Sequence, residues 1–476
     1  MPNGSILVRG LGPVATTAIV VGNVIGTGVF LKSRVMTCNV GTPGRVITVW
    51  IVAGLLSLAG ALTYAELAAM WPRAGGEYVF IRNAYSSSLA FLFGWTRFFA
   101  SGAGSLAALA VGFAIFLNVL LTGTLNVTYF SVNVFGYQLP FGRLQLVALS
   151  AIAFVTLVNC ASVSVGGKFA TTLTAIKIGS IVALGVGVLI FARGTWANFL
   201  LQDSGGACEG VGAAARGGSA GFAAAMLGAL WAYNGWNEMT FVSGEVKNPK
   251  RNIPLALATG MIICMVLYVF VNTTYFYVLT PTAVASVPAT SSVAAVVVES
   301  FLGNIAVALI AAAMMISTLG ALHTSTMANS RIPFAMAQDG LFPKPLARVS
   351  GRTRVPVRSL LVQGIWAGVL ALSGSYDTLT DYVIFVNWLF FALVIVSIFF
   401  VRRRVPQADG AYRAWGYPVV PLLFLATTAW LLISTLTTSP VRSLIGLALV
   451  ALGLPVYYFM ARPNQREPQV TEAGAD

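Results

Sequence analysis

Twelve apolar stretches punctuate the chain, opening near residues 13, 46, 88, 142, 165, 220, 254, 301, 356, 379, 417 and 441. A bilayer core ~30 Å thick takes ~20 apolar residues per helix, so the pattern predicts twelve membrane-spanning helices. Two of them are interrupted. The first span opens near Pro13 and meets "GNVIGTGVF" (Gly22 to Phe30); the sixth opens near Ala220 and meets "WAYNGWNEM" (Trp231 to Met239). Each interruption falls ~20 Å along its helix at the helical rise, close to mid-membrane. Five spans separate the two, so the second copy runs in the opposite direction. Spans 1–5 and 6–10 therefore read as an inverted repeat, and paired Gly-interrupted spans point to a transporter's binding site.

Unwinding a helix in hydrocarbon strands amide and carbonyl groups at several kcal/mol each unless protein, water or ligand satisfies them. An open break implies a polar occupant. Gly26, Thr27 and Gly28 bring bare backbone close to a ligand. The half-helix that follows presents unpaired N–H groups and a positive dipole end, which suit a carboxylate. The half-helices ending at Ile25 and near Tyr233 present carbonyls, which suit an ammonium group. A zwitterionic α-amino acid carries both charges. Gly22 and Gly26 also form a GxxxG spacing, which in one span alone fits helix packing equally well; the matching break at Tyr233, Asn234 and Gly235 carries the weight.

Composition agrees. Of 476 residues, 57% are hydrophobic and 9% charged, with a mean hydropathy of +0.84. The first apolar run continues through Phe30 without a small-residue cleavage site and reads as part of the fold. The net charge of +14 comes without basic blocks interleaved with aromatics, which argues against nucleic acid. Lys and Arg gather instead in the N-terminus, the even-numbered loops and the C-terminus, above all in "VRRRVP" and from Lys344 to Arg358, placing both termini on the cytoplasmic side. Four cysteines without CxxC spacing offer neither a disulfide scaffold nor a metal centre. Cys160 and Cys264 read as buried thiols, while Cys38 and Cys208 fall in outside loops and have the option of pairing. With one histidine, no phosphate-cradling loop and no metal constellation, enzyme chemistry and a bound cofactor are not expected.

The stretches "VGNVIGTGVF", "LTYAELAAMWPRAGGEYVFIRNAY", "WAYNGWNEMTFVSGEVKNPKRNIPLAL" and "STLGALHTSTMANSRIPFAMAQDGLFP" together resemble the amino acid–polyamine–organocation (APC) superfamily of permeases, nearest its L-amino-acid transporter branch and that branch's bacterial relatives. The resemblance runs from about Gly12 to Phe459. It implies an all-α membrane protein with a LeuT-like 5+5 inverted repeat, two additional C-terminal helices, alternating access and amino acid exchange. Matched motif by motif, it places the substrate carboxylate on the amides of Thr27 and Gly28. The ammonium goes to the carbonyls of Ile25 and of Trp231 or Ala232, with Trp231 as the aromatic gate. Tyr233, Asn234 and Gly235 complete the second break. Cationic-substrate members tend to carry Asp at the position of Asn234, so the amide here favours neutral side chains, with Glu238 one turn later able to restore part of the field; Asn234 has the alternative of capping the broken backbone. Animal members join a glycoprotein through a cysteine between spans 3 and 4. That loop, Leu121 to Phe141, contains none, so no disulfide-linked heavy subunit is expected; the oligomeric state stays open.

Lys177 stands ~18 Å deep in span 5, where an uncompensated lysine costs about 2.5–3.5 kcal/mol. It matches a lysine of the branch that faces the unwound part of helix 1, near where sodium-coupled relatives hold their cation. Sodium-independent transport follows, with Ser317 and Thr318 as polar neighbours. Glu245 and Arg331 are expected in cytoplasmic gating ion pairs, with Glu66, Glu77 and Arg82 as further candidates; Arg97 has no obvious partner, and His323 is expected as a neutral core residue. The divisions are a cytoplasmic N-terminus (1–12), a first repeat (13–192), an external loop (193–219), an inverted second repeat (220–402), helices 11 and 12 with their preceding loop (403–461) and a cytoplasmic tail (462–476). The expected function is exchange of neutral L-amino acids across a cell membrane, which the missing cysteine suggests is a bacterial inner one. A proton-coupled amino acid or polyamine permease, a channel and a nutrient sensor are the alternatives.

Overall fold

The computed structural model describes residues 7–134, 137–202, 205–288, 291–303, 305–373, 376–404, 412–438 and 440–461; the expected cytoplasmic tail (462–476) and loop residues 405–411 lie outside them. The first broken span is α1 (Pro13–Val24) and α2 (Gly28–Val40), followed by α3 (Pro43–Met70) and the short α4 (Glu77–Ala84). Next come α5 (Ser87–Thr96) and α6 (Gly102–Leu120), joined through a π-helical turn at Arg97–Ser101, then α7 (Arg143–Ala161) and α8 (Val163–Phe191). The second broken span is α9 (Gly218–Ala232) with a 3-10 segment, Trp236–Glu245. It is followed by α10 (Pro249–Val278), α11 (Pro281–Ala285), α12 (Val293–Leu302), α13 (Ile305–Asn329) and α14 (Arg331–Gln338). The remainder is α15 (Val357–Ser373), α16 (Tyr376–Arg404), α17 (Val419–Thr438), α18 (Pro440–Ala451) and α19 (Gly453–Ala461).

The helices begin where sequence chemistry lets them. Pro13, Pro43 and Pro249 open α1, α3 and α10, where a missing N–H costs nothing. The hydroxyls of Thr42, Ser86 and Ser162 accept from the amides of Arg45, Leu89 and Val165. Among the described residues, nine helices are long and apolar enough to cross a bilayer, and α1 with α2 makes a tenth as a pair bent by 43°. Side chains such as Leu157, Ile190, Ile365 and Ile433 are exposed on the outside, a surface that hydrocarbon solvates and water does not. The polar residues lie within: Lys177, Arg97, Glu238, Glu245, Arg331, Glu66 and Glu77 are all buried.

Three details differ from the sequence expectation. The eighth span opens at Ile305, not near 301, because Gly303 at φ 62° first ends α12. The seventh opens at Pro249, with Pro254 absorbed inside the helix. A two-stranded antiparallel hairpin, β1 (Thr128–Val134) and β2 (Tyr137–Gly142), interrupts the helical plan between α6 and α7. Its β-branched and aromatic residues alternate as a strand requires.

The two broken spans cross in opposite directions. Leu11, before α1, pairs with Val246, after the 3-10 segment. A Cβ on Gly235, just after the second break, would lie 3.0 Å from the Asn23 carbonyl, just before the first. On Gly28, just after the first break, it would lie 2.6 Å from Ala232 Cβ, just before the second. The Leu11–Val246 bridge is locally parallel, but the order of the contacts along the two spans, 11 with 246, 23 with 235 and 28 with 232, is reversed, as the expected inverted repeat requires. The helices build the expected all-α, LeuT-like fold.

Candidate functional site

At the first break the helix stops at Val24, and Ile25, Gly26 and Thr27 carry the chain to α2. The second break runs through Tyr233, Asn234 and Gly235, where Gly235 takes φ 109°, a conformation a side chain would strain. Asn234 closes its own turn: its Oδ1 accepts from the Gly235 amide at 2.9 Å. The capping role of that amide is therefore built in. The amides of Phe30 and Leu31 bond back to the Thr27 carbonyl at 3.1 and 3.2 Å, and those of Gly28 and Val29 precede the first bond of the helix. Gly26 faces open space, with no atom within 4 Å of where a Cβ would stand.

The bared carbonyls have partners that sequence reasoning assigned only in part. Lys177 Nζ donates to Gly22 O at 2.7 Å and Ile25 O at 2.8 Å, buried between α8 and the end of α1. Ser317 Oγ lies 3.0 Å from Ile25 O and 3.2 Å from Gly26 O. The Ile25 carbonyl, expected to receive a substrate ammonium, thus already accepts from Lys177 and Ser317, and the expectation needs correcting at that atom. Thr318 also departs from its expected place, because its hydroxyl turns back to Met314 and Met315 of its own helix. The Lys177 stem passes over Gly320, where a Cβ would come within 2.7 Å of Cε.

Tyr268, on α10, went unnoticed in the sequence. Its hydroxyl lies 2.9 Å from Val24 O and 3.1 Å from Ala232 O, spanning both breaks. One hydroxyl proton serves two carbonyls, which leaves acceptor capacity for a cationic group. Tyr233 anchors to Trp50 O at 3.1 Å, and the rings of Trp50, Tyr233 and Tyr268 pack together. Trp231 is half-buried, with Lys32 Nζ 4.7 Å above its ring. Gly28 abuts Ala232 and Trp231. A side chain there meets the other broken helix first, a different reason for glycine than a carboxylate pocket.

Below the breaks lies a charged cluster. Arg97 Nη2 meets Glu238 Oε1 at 2.7 Å and Asn329 Oδ1 at 2.8 Å, giving Arg97 the partner its sequence neighbours did not reveal. Glu238 also accepts from Ser325 at 2.7 Å and from Asn329 at 3.2 Å. It is neutralised by Arg97 and does not restore a negative field beside Asn234. Glu245 and Arg331 form a two-pronged pair at 2.7 and 3.0 Å, wholly buried. Leu11 N bonds to Glu245 O and Lys247 N to Leu11 O, so on the face where α1 begins the two broken spans are closed against each other. Glu66 is not beside that pair; Arg402 grips it at 2.8 Å through Nε and 2.6 Å through Nη2. Arg82 holds Asp339 at 2.8 Å. His323 sits between Asn159 and the Gly166 carbonyl, hydrogen-bonded on both ring nitrogens.

On the opposite face, Cys38 and Cys208 are joined in a disulfide. Arg34 donates to Glu209 O, Asn39 to Ala215 O and Gly217 to Asn39 O, so α2 is bound to the loop that leads into α9.

The comparisons fit these features. The mouse b(0,+)-type amino acid transporter 1 is 27% identical over 456 residues, covering 95% of this chain and 88% of its own. The serine/threonine exchanger SteT of Bacillus subtilis (strain 168) is 27% identical over 469 residues, 96% and 98%. The human large neutral amino acids transporter small subunit 2 is 29% identical over 465 residues, 96% and 81%. The amino acid permease family model matches residues 11–456. With both breaks, their carbonyl partners and nearly the whole length accounted for, the chain belongs to the amino acid permease family, within the APC superfamily.

Proposed function

We propose that the chain is a sodium-independent antiporter of neutral L-amino acids that works by alternating access, its substrate held between the two broken helices. One observation carries the reading: two antiparallel breaks touch at Gly28 and Ala232, with helix-start amides on one side and the Tyr268-bridged carbonyls of Val24 and Ala232 on the other. The carboxylate goes to the amides of Thr27 and Gly28, and the ammonium to the carbonyls of Ala232 and Val24 in preference to that of Ile25. Exchange draws support from relatives that include a serine/threonine exchanger and transporters of amino acids. Sodium independence draws support from Lys177, whose ammonium fills the space between Gly22 O and Ile25 O and repels a second cation. The closed face, with the Glu245–Arg331 pair, is then cytoplasmic, both termini lie inside a twelve-span fold, and the disulfide faces outward in a bacterial inner membrane. No covalent heavy subunit enters this picture.

Proteoliposomes test it. Labelled amino acid should enter only vesicles preloaded with unlabelled amino acid, with or without Na⁺; entry into empty vesicles at the same rate refutes exchange. Side-chain selectivity has its own check. Asn234→Asp keeps the oxygen that caps Gly235 and adds a charge, so competition by arginine against leucine should rise about tenfold, ~1.4 kcal/mol. Unchanged competition places selectivity elsewhere.

A further inference from the structure

Among the described residues, each carboxylate near the closed face has a cation of its own except in a single place. Glu245 has Arg331, and Glu66 has Arg402. Asp339 has Arg82 and Arg73, with Tyr78 donating to it. Arg97, on the π-helical turn, stands among two carboxylates, Glu238 and Glu77. Two buried acids and one guanidinium leave one negative charge over, and an uncompensated buried charge is strongly destabilising.

Geometry says which acid is the weaker anion. Glu238 receives three donors: Arg97 Nη2, Ser325 Oγ and Asn329 Nδ2. One of the three donors is a guanidinium. Glu77, on α4 between α3 and α5, receives Asn237 Nδ2 at 2.9 Å and faces the phenol of Tyr64. Among the described residues, Arg97 and Glu238 are the charged groups that act on it; Glu66, on α3, pairs with Arg402 of α16, Asp339, after α14, with Arg82, and Glu245 with Arg331. Asn237 and Glu238 are neighbours on the 3-10 segment of the second broken helix. One holds Glu77 and the other holds Arg97, so the cluster clamps that segment from both sides.

We propose that Glu77, Arg97 and Glu238 form a proton-binding site, with the proton on Glu77, whose occupancy holds the cytoplasmic face closed. This rests on the exchanger reading. Burial, opposed by Arg97, Tyr64 and Asn237 and aided by Glu238, raises the Glu77 carboxyl from 4.5 to about 7. Opening the face hydrates Glu77 and returns it towards its ordinary value. Between those two values the closed state holds one more proton than the open one. Raising the pH through that window therefore shifts the balance towards opening, about tenfold per pH unit, and above about pH 7 both states have lost the proton and the dependence ends.

The test is exchange in proteoliposomes of the full chain, stepped from about pH 5 to about pH 8, beside an infrared titration of the purified protein. Wild-type exchange should rise up to about tenfold per unit below pH 7 and level off above it. Glu77→Gln, neutral in both states, should stay at the low-pH rate throughout. Glu238→Gln gives Arg97 to Glu77 alone and should also erase the slope. A protonated-carboxyl band at about pH 6 should be present in the wild type and absent in both variants. A wild-type profile flat below pH 7, a slope that survives Glu77→Gln, or no band that Glu77→Gln removes overturns the proposal while leaving exchange intact. Absence of exchange at every pH defeats the exchanger reading instead, and the infrared band still decides the proton site.

Discussion

Replacing Lys177 with methionine should lower exchange by about a hundredfold while changing substrate affinity little. Methionine fills much the same volume but cannot donate, so Gly22 O loses its 2.7 Å partner, while Ile25 O keeps Ser317. A buried carbonyl left unpaired costs about 1–3 kcal/mol. That cost falls on the end of α1 and loosens the closed arrangement from which the cycle must start. The contacts proposed for the substrate, at the α2 amides and the Ala232 carbonyl, stay in place. Turnover measured by exchange and affinity measured by equilibrium binding separate the two effects. Equal losses in both would make Lys177 a substrate ligand, and unaltered turnover would remove it from the cycle.

The other large effect is expected at Gly28. A Cβ there would lie 2.6 Å from Ala232 Cβ and 2.9 Å from Ala232 Cα, closer than carbon atoms approach, so the two broken helices must part. Gly28→Ala should reduce exchange by about a hundredfold, because a misplacement of about 1 Å at a positioned site is worth that much. Gly28→Ala with Ala232→Gly removes the nearer clash and should recover part of the activity. Folding is followed by helical circular dichroism and elution volume, both expected to be unchanged. Full activity in Gly28→Ala would mean that the two breaks need not touch; no recovery in the double variant would place the fault in the amide cradle instead.

Much of this site is legible in the sequence because hydrocarbon makes exceptions conspicuous. Glycines at Gly26 and Gly28 inside an apolar run, the second break at Asn234 and Gly235, and a lysine deep in another span each stand out against a background that should contain none of them. The partners are harder to see. Lys177 bonds to backbone carbonyls, which every residue carries. Arg97 and Glu238 are 141 residues apart, and only the folded chain makes them neighbours. Tyr268 looks like any aromatic in a membrane helix until its hydroxyl is seen between Val24 and Ala232. Thr318 misled because adjacent hydroxyls on one helix point about 100° apart, and only Ser317 faces the break. The hairpin at Thr128–Gly142 was readable as a strand pattern, but the search for long apolar runs passes over short alternating ones.

The Cys38–Cys208 link joins α2 to the loop before α9, two half-helices that enter the site from opposite repeats. In the alternating-access cycle proposed above, the two should travel as a single lever, so that this entrance opens by tilting one stapled body, not by parting two independent ones. A fluorophore attached to the exposed loop residue Gly210 would then report the swing of α2 without touching it. Reduction of the link should broaden that signal.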